Sequence, residues 1–385
     1  MRARIEKIIK EYSAQGIHRT GTAVDNASAD WLVDQIRALG VTATTSPFQI
    51  HRLIVNEAML TSNALTIAGV PLYDCDFAQH PASISGQLGE LHSDAKIGVT
   101  MAPPFEQSAP FRAINTARRS GKHKAIVVMT DEKLPDTGIA LVNAESYQNP
   151  FGPPVLQIAS QHRLALQNLL DRQENVRLTV DAHRTDTEAF NVEATITGSE
   201  PRYAPVVVMT PRSGWWQCAS ERGGGIATLL EIVRACVLNQ PKRTVIFTAS
   251  SGHELSHLGL DHYLEQHHSL IKDAYMWVHL GANFVARNGD SVRLQHSDEE
   301  VRNLLAETTN QENVTSSRET KIGERPVGEA RNIFDGGGRF VSIVGSNSLF
   351  HHPADTYPSA VDIEVGMKWI KAMMNVTLRL ANDVS

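Results

Sequence analysis

The sequence predicts an α/β fold, with a mostly parallel sheet flanked by helices and a β-rich domain inserted at about residues 56–185. Three observations carry this. Apolar, β-branched runs at 205–209 and 244–249 are separated by a helical pattern at 226–238, which is the strand-helix-strand signature of a parallel sheet. Further strand candidates at 274–280 and 341–345, with helical patterns at 252–268, 298–308 and 362–382, extend the same alternation. Between residues 56 and 185 the texture changes to short apolar runs punctuated by Pro and Gly, the mark of a second small core.

Taken in order, residues 1–10 place apolar side chains at helical spacing among charges, without the unbroken apolar core of a secretory signal, so a cytoplasmic protein is expected. Ala29, Leu32, Val33, Ile36 and Leu39 repeat at three and four, and Gly40 closes that helix. Runs at 67–72, 96–99 and 125–129 read as strands of the inserted domain, with a helix at 111–121. The alternation at 191–198 reads as a half-exposed strand leading into the second part of an α/β domain formed by residues 1–55 and 186–385. A chain of 385 residues suits about two domains.

Composition excludes several function classes. Thirty-six basic against 42 acidic residues give a net charge of −6 with no long run of either sign, which argues against a nucleic-acid or membrane-surface partner. No apolar stretch approaches the roughly 18 residues a membrane span needs. A small-molecule or short-peptide partner is expected, and the oligomeric state is left open. Cys75, Cys218 and Cys236 form neither a zinc motif nor an even disulfide set. Sixteen histidines are the compositional oddity, clustered at 253–268 and at His351-His352.

In parallel α/β sheets, sites form where the carboxyl ends of strands meet the following loops. Those loops carry Arg212, Ser213 and Glu221; His253 and Glu254; His279; and His351 with His352. Carboxylates and imidazoles in such a set suit zinc or a similar divalent ion. His253-Glu254-Leu255-Ser256-His257 also reads as a zincin motif, with two histidines four apart on a helix face and Ser251 as part of a capping box.

The order of these loops resembles the M28 family of zinc aminopeptidases, which also contains glutaminyl cyclases and non-enzymatic receptors. Gly16-Ile17-His18-Arg19-Thr20-Gly21-Thr22 is similar to the family's opening, and residues 56–185 to its protease-associated insert. The run from Ala219 to Glu231 resembles the family's acidic, glycine-containing loop and helix, with Glu221 at the metal-bridging position. Gly252-His253-Glu254-Leu255 resembles the paired-glutamate motif, and His351-His352-Pro353-Ala354-Asp355-Thr356-Tyr357 the terminal histidine motif.

There are departures. The family's histidine and aspartate after the first catalytic strand are absent from Thr210-Pro211-Arg212-Ser213; its general base appears as His253 and the aspartate of its second metal as His279. The resemblance implies a metal-dependent hydrolase or acyl-transfer enzyme acting on an amide bond. One ion would be held by Glu221, Glu254 and His351, with His279 a further metal candidate, His253 as proton shuttle and Arg212 as a clamp for a substrate carboxylate. Other readings remain: His279 as a core histidine, Glu221 and Arg222 as a solvated loop pair, and a binding or regulatory protein that keeps the fold without the chemistry.

Overall fold

The computed structural model describes residues 1–80 and 82–384. The chain opens with α1 (Arg2–Ala14), whose Ile5, Ile8, Ile9 and Tyr12 are buried at the expected spacing. Helix α2 (Ala23–Arg37) starts six residues before Ala29, the first position of the expected repeat, because Thr22 caps it, its hydroxyl accepting from the Asp25 N–H. Gly40 beyond its end takes a φ of +85°. Next come β1 (Ala43–Thr61), β2 (Thr66–Ala68), β3 (Val70–Pro71), β4 (Ser83–Glu90) and β5 (Ile97–Ala102). They are followed by α3 (Ala109–Ser120), β6 (Ala125–Thr130), β7 (Val155–Ile158), α4 (Arg163–Asp171) and β8 (Asn175–Ile196). The remaining chain forms β9 (Val206–Pro211), α5 (Gly223–Leu238), β10 (Val245–Ser250), α6 (Leu258–Gln266), α7 (Leu270–Asp273) and β11 (Met276–Leu280). It finishes with β12 (Val292–His296), α8 (Glu299–Gln311), β13 (Arg318–Glu319), α9 (Ala330–Asp335), β14 (Phe340–Gly345) and α10 (Ile363–Asn382).

The sheet of the larger α/β part has a parallel centre in the order β14-β11-β9-β10, bordered by antiparallel β12 and β8. Both faces are covered, as the continuous apolar runs demand. Val206 and Val208 of β9 enter the core shared with α1, α2, α5 and α10, while Val207 and Met209 enter a second core with α6, α7 and α9. The chain crosses from β9 to β10 on one side and returns to β11 on the other, so strand order reverses at β9 and leaves a crevice at its carboxyl end. The glycines of α5 permit close approach to the sheet: a Cβ on Gly225 would stand 2.3 Å from Thr210 Oγ1 and 2.9 Å from the Leu280 carbonyl oxygen.

Residues 60–180 carry their own core, built from Ile84, Ile97, Val127, Leu156 and Val176 among others, around the parallel run β4-β5-β6-β7. The lines drawn at 56 and 185 fall inside β1 and β8. These two strands pair antiparallel from Ala43↔Ala194 to Thr61↔Arg177, with one irregularity between Val55 and Glu57. The two parts of the molecule therefore share one continuous ribbon. The expected helix at 252–268 is broken: residues His253–Leu255 form a 3-10 turn, Gly252, Ser256 and His257 are left-handed, and α6 starts only at Leu258.

Candidate active site

The loops after β9, β10, β11 and β14 meet at the crevice, and the side chains they carry are almost fully buried. Glu221, Arg222, Glu254, His279 and His351 are each 1% exposed and His253 is 9% exposed. Asp355 orients the first loop, its carboxylate accepting from the Ser220 N–H and hydroxyl and from the Glu221 N–H at 2.7–3.0 Å. Burial, with Glu221 adding to it, pushes the Asp355 carboxyl up to about 7 against the pull of the Ser220 donors.

Glu221 and His351 face each other, with Oε1 3.4 Å from Nε2. The other ring nitrogen of His351 donates to the Leu141 carbonyl at 2.7 Å, and the His351 carbonyl accepts from the Trp216 indole at 2.9 Å. That anchoring fixes the tautomer with Nε2 unprotonated. Neither Glu221 oxygen nor His351 Nε2 has a hydrogen-bond partner. A bare imidazole lone pair thus looks at a carboxylate. Two ligands at about 2.0–2.1 Å in tetrahedral geometry lie about 3.4 Å apart, so this pair has the chemistry and the spacing of two ligands of one divalent ion.

The other expected ligands stand elsewhere. Glu254 is committed to hydrogen bonds: Oε1 accepts from the Thr20 N–H and hydroxyl at 3.0 and 2.6 Å, and Oε2 from the Ser213 hydroxyl at 2.6 Å. His279 donates to or accepts from Ser342 Oγ at 2.8 Å through Nδ1, and its Nε2 is left without a partner beside Gly328. Among the described residues no three His, Cys, Asp or Glu side chains converge as a ready cage. Thr210, where the family's histidine was missing, donates its hydroxyl to the Leu280 carbonyl at 2.7 Å.

Arg212 is no substrate clamp. Its guanidinium is wholly buried and donates to the Asp25 carbonyl (2.6 Å), Asp25 Oδ1 (2.8 Å) and the Phe190 carbonyl (2.8 Å), because α2 supplies a carboxylate to the back of the loop. The solvated-pair reading of Glu221 and Arg222 fails as well. Arg222 lies in the centre, one amino group 2.8 Å from Glu221 Oε1, its Nε donating to the Ser213 carbonyl at 2.8 Å. Burial alone would raise the Glu221 carboxyl; the Arg222 guanidinium overrides it and holds it at about 2.

His253 Nδ1 stands 3.1 Å from Glu329 Oε1, and Ser250 Oγ donates to the same carboxylate at 2.8 Å. Burial, followed by the Arg222 charge, lowers the imidazole well below the usual range, so the ring is neutral with Nδ1–H toward Glu329. The zincin arrangement is absent because left-handed Ser256 and His257 break the helix; the two rings stack at 4.7 Å, and His257 Nδ1 is engaged 2.8 Å away by Asn332 Oδ1. Ser251 does not cap that turn, since its hydroxyl donates to Asp25 at 2.7 Å.

Sequence reasoning missed Glu329 and Leu141, and took Arg222 only for a solvated partner of Glu221. Nothing local marks them, although Glu329 in a Gly-rich loop before a short helix could have been tested as a partner for His253. Leu141 and its neighbours come from the segment at 139–144, most of it buried against the site, where the Ala144 N–H also donates to the Glu254 carbonyl at 2.9 Å and Asn143 accepts from the Trp215 indole at 3.0 Å.

Residues 174–336 match the model of Peptidase family M28. Over 102 residues the chain is 34% identical to transferrin receptor protein 2 of Homo sapiens, a stretch covering 25% of this chain and 13% of that protein. The chain therefore spans only a small part of that relative's length. A zinc aminopeptidase from Bacillus subtilis superposes with a TM-score of 0.82 at 15% identity, covering 99% of this chain and 97% of the other. An M28 peptidase precursor from Shewanella amazonensis gives 0.76 at 16% identity over 100% and 94%. An aminopeptidase from an Aneurinibacillus strain gives 0.71 at 14% identity over 99% and 94%. At these identities the superpositions establish the fold. Among the described residues no helix is long and apolar enough to cross a membrane.

Proposed function

We propose, for a chain that is M28 zinc aminopeptidase-like, that it is a metal-dependent hydrolase of amide bonds in short peptides or small amino-acid derivatives, with one divalent ion. The observation that carries this is the 3.4 Å approach of Glu221 Oε1 to His351 Nε2, two buried acceptor atoms without a hydrogen-bond partner. Glu221 and His351 would hold the ion, which supplies Lewis acidity to the scissile carbonyl. His253 Nε2 takes a proton from the attacking water and returns it to the leaving amine, while Glu329 holds Nδ1 and stabilises the imidazolium that forms. Residues 56–185, a protease-associated-like insert in this reading, limit the substrate to short chains by laying 139–144 over the site. The three cysteines are buried and unbonded, which supports a reducing, cytoplasmic setting.

One observation favours a second reading, a peptide-binding protein without chemistry: Arg222 already balances the Glu221 charge at 2.8 Å. Metal analysis of the purified full chain, alongside hydrolysis of aminoacyl anilides, separates the two. About one zinc per chain, lost in Glu221→Ala and His351→Ala, together with turnover, supports the hydrolase. Absence of both metal and turnover after zinc loading refutes it.

A further inference from the structure

Two buried side chains of the centre hold donors that no acceptor meets among the described residues. The first is Arg222, whose side chain hydrogen-bonds only through Nε, to the Ser213 carbonyl at 2.8 Å. Its Nη2 stands 2.8 Å from Glu221 Oε1 as an ion pair without hydrogen-bond geometry, and Nη1 has no partner. A buried donor left unpaired has given up water for nothing, so one kept in a folded protein calls for a ligand to meet it.

The second is His279, and a relay of hydrogen bonds fixes its tautomer. Val327 orients the Gln295 amide: the Val327 N–H donates to Oε1 at 2.8 Å, and Nε2 donates to the Val327 carbonyl at 3.2 Å. The same Nε2 donates to Ser342 Oγ at 2.8 Å. The Ser342 hydroxyl is wholly buried, and its one other partner among the described residues is His279 Nδ1 at 2.8 Å. The hydroxyl is satisfied only by donating there, so Nδ1 is bare and Nε2 carries the hydrogen. Burial holds this imidazole down to about 4, so the ring is neutral. Its Nε2–H is therefore a buried donor without a partner, with no lone pair to offer a metal. Two glycines make room for the ring, since a Cβ on Gly281 or on Gly328 would stand 2.9 Å from its Cε1.

The two donors come from neighbouring elements. The first turn of α5 packs on the end of β11, a Cβ on Gly225 falling 2.9 Å from the Leu280 carbonyl oxygen. After burial itself, Arg222 and His279 are among the groups that depress the His253 imidazole, so both lie on its side of the centre.

We propose that Arg222 Nη1 and His279 Nε2–H form the oxyanion hole of the site, an assignment that rests on amide hydrolysis as the reaction. As the water oxygen bonds to the carbonyl carbon, one water proton passes to His253 Nε2 and the carbonyl π pair moves onto its oxygen. That oxygen becomes the anion which the guanidinium and the imidazole N–H hold. On collapse the C=O bond re-forms, the C–N bond breaks, and the proton on His253 goes to the leaving nitrogen. Donors fixed in place and already stripped of water favour the charged oxygen over the neutral carbonyl, which is the condition for raising kcat.

The test compares Arg222→Met, Arg222→Lys and His279→Phe with the parent as zinc-saturated full chains. Hydrolysis of leucine p-nitroanilide is measured beside calorimetric titration with the phosphonic acid analogue of leucine, whose tetrahedral anion imitates the intermediate. In Arg222→Met and His279→Phe, kcat should fall about a hundredfold with KM little changed, and phosphonate affinity should fall by a similar factor. Arg222→Lys keeps the charge and should recover part of both, and zinc content should hold in all three. His279→Phe is neutral and close in shape, so it decides the matter should the Arg222→Met chain fail to fold. Parent-like kcat in His279→Phe, a rise in KM at unchanged kcat, or loss of zinc from His279→Phe overturns the assignment and leaves the hydrolase reading standing. Absence of turnover in the zinc-loaded parent overturns that reading and the assignment with it.

Discussion

Replacing Arg212 by methionine distinguishes a structural cation from a substrate clamp. The guanidinium has no exposed surface and makes three hydrogen bonds, two to Asp25 and one to the Phe190 carbonyl. Its loss leaves the Asp25 carboxylate with Ser251 Oγ at 2.7 Å and the Gly21 N–H at 2.9 Å, both neutral donors. Stranding one partner of a buried pair costs about 3–5 kcal/mol, whereas Asp25→Asn combined with Arg212→Met removes the charge as well and should recover at least about 1 kcal/mol through coupling.

The penalty carries a pH signature. Burial already raises the Asp25 carboxyl, with Arg212 opposing it, and without Arg212 the folded-state value rises further. A raised carboxyl destabilises the fold as pH climbs above the unfolded value of about 3.9, so the variant's deficit grows from pH 4 toward neutrality. Urea unfolding followed by the fluorescence of the five tryptophans measures it. A variant within about 0.5 kcal/mol of the parent, with weakened binding of a peptide carboxylate, refutes the structural role and restores the clamp.

Other consequences of the geometry are equally accessible. Arg222→Met removes the cation 2.8 Å from Glu221 and should raise zinc affinity at least about tenfold; unchanged affinity would place the ion elsewhere. His257→Ala should leave zinc content untouched while His351→Ala strips it, and the opposite pattern would revive the zincin arrangement. Glu329→Gln should lower kcat by roughly a hundredfold with zinc retained, so wild-type turnover would remove the His253–Glu329 pair from proton transfer. Buried His18 is held down to about 3 by burial and then by Arg212. The unfolded chain therefore takes its proton first, and stability should fall as pH drops below about 6.5, by on the order of 4 kcal/mol through pH 3. His18→Gln should flatten that slope, and an unaltered slope assigns acid unfolding to other groups.

What could be read in the sequence follows a physical line. The central strands are buried on both faces and therefore spelled out as apolar runs, and the segments after them place Glu221 opposite His351, whereas His279 stays in its strand on Ser342. The ribbon was legible only at its ends because residues such as Arg177, Asp181, Asp186 and Glu188 face water, and its 18 paired positions lie more than a hundred residues apart in the chain. Spacing suggested that His253 and His257 share a helix face, but spacing carries no information about the left-handed backbone at Ser256 and His257. The fates of Arg212, Glu254 and Arg222 depend on Asp25, Thr20 and Glu221. For the first two, the partner is an opening segment more than 180 residues upstream.

The carbonyl of Leu141 holds the imidazole of His351 from a loop that belongs to the far side of the ribbon. Cover and centre are thereby a single mechanical part. Were that contact broken, the imidazole of His351 would be free to turn, so the aim of the nitrogen that faces Glu221 depends on a residue 210 positions away in the chain.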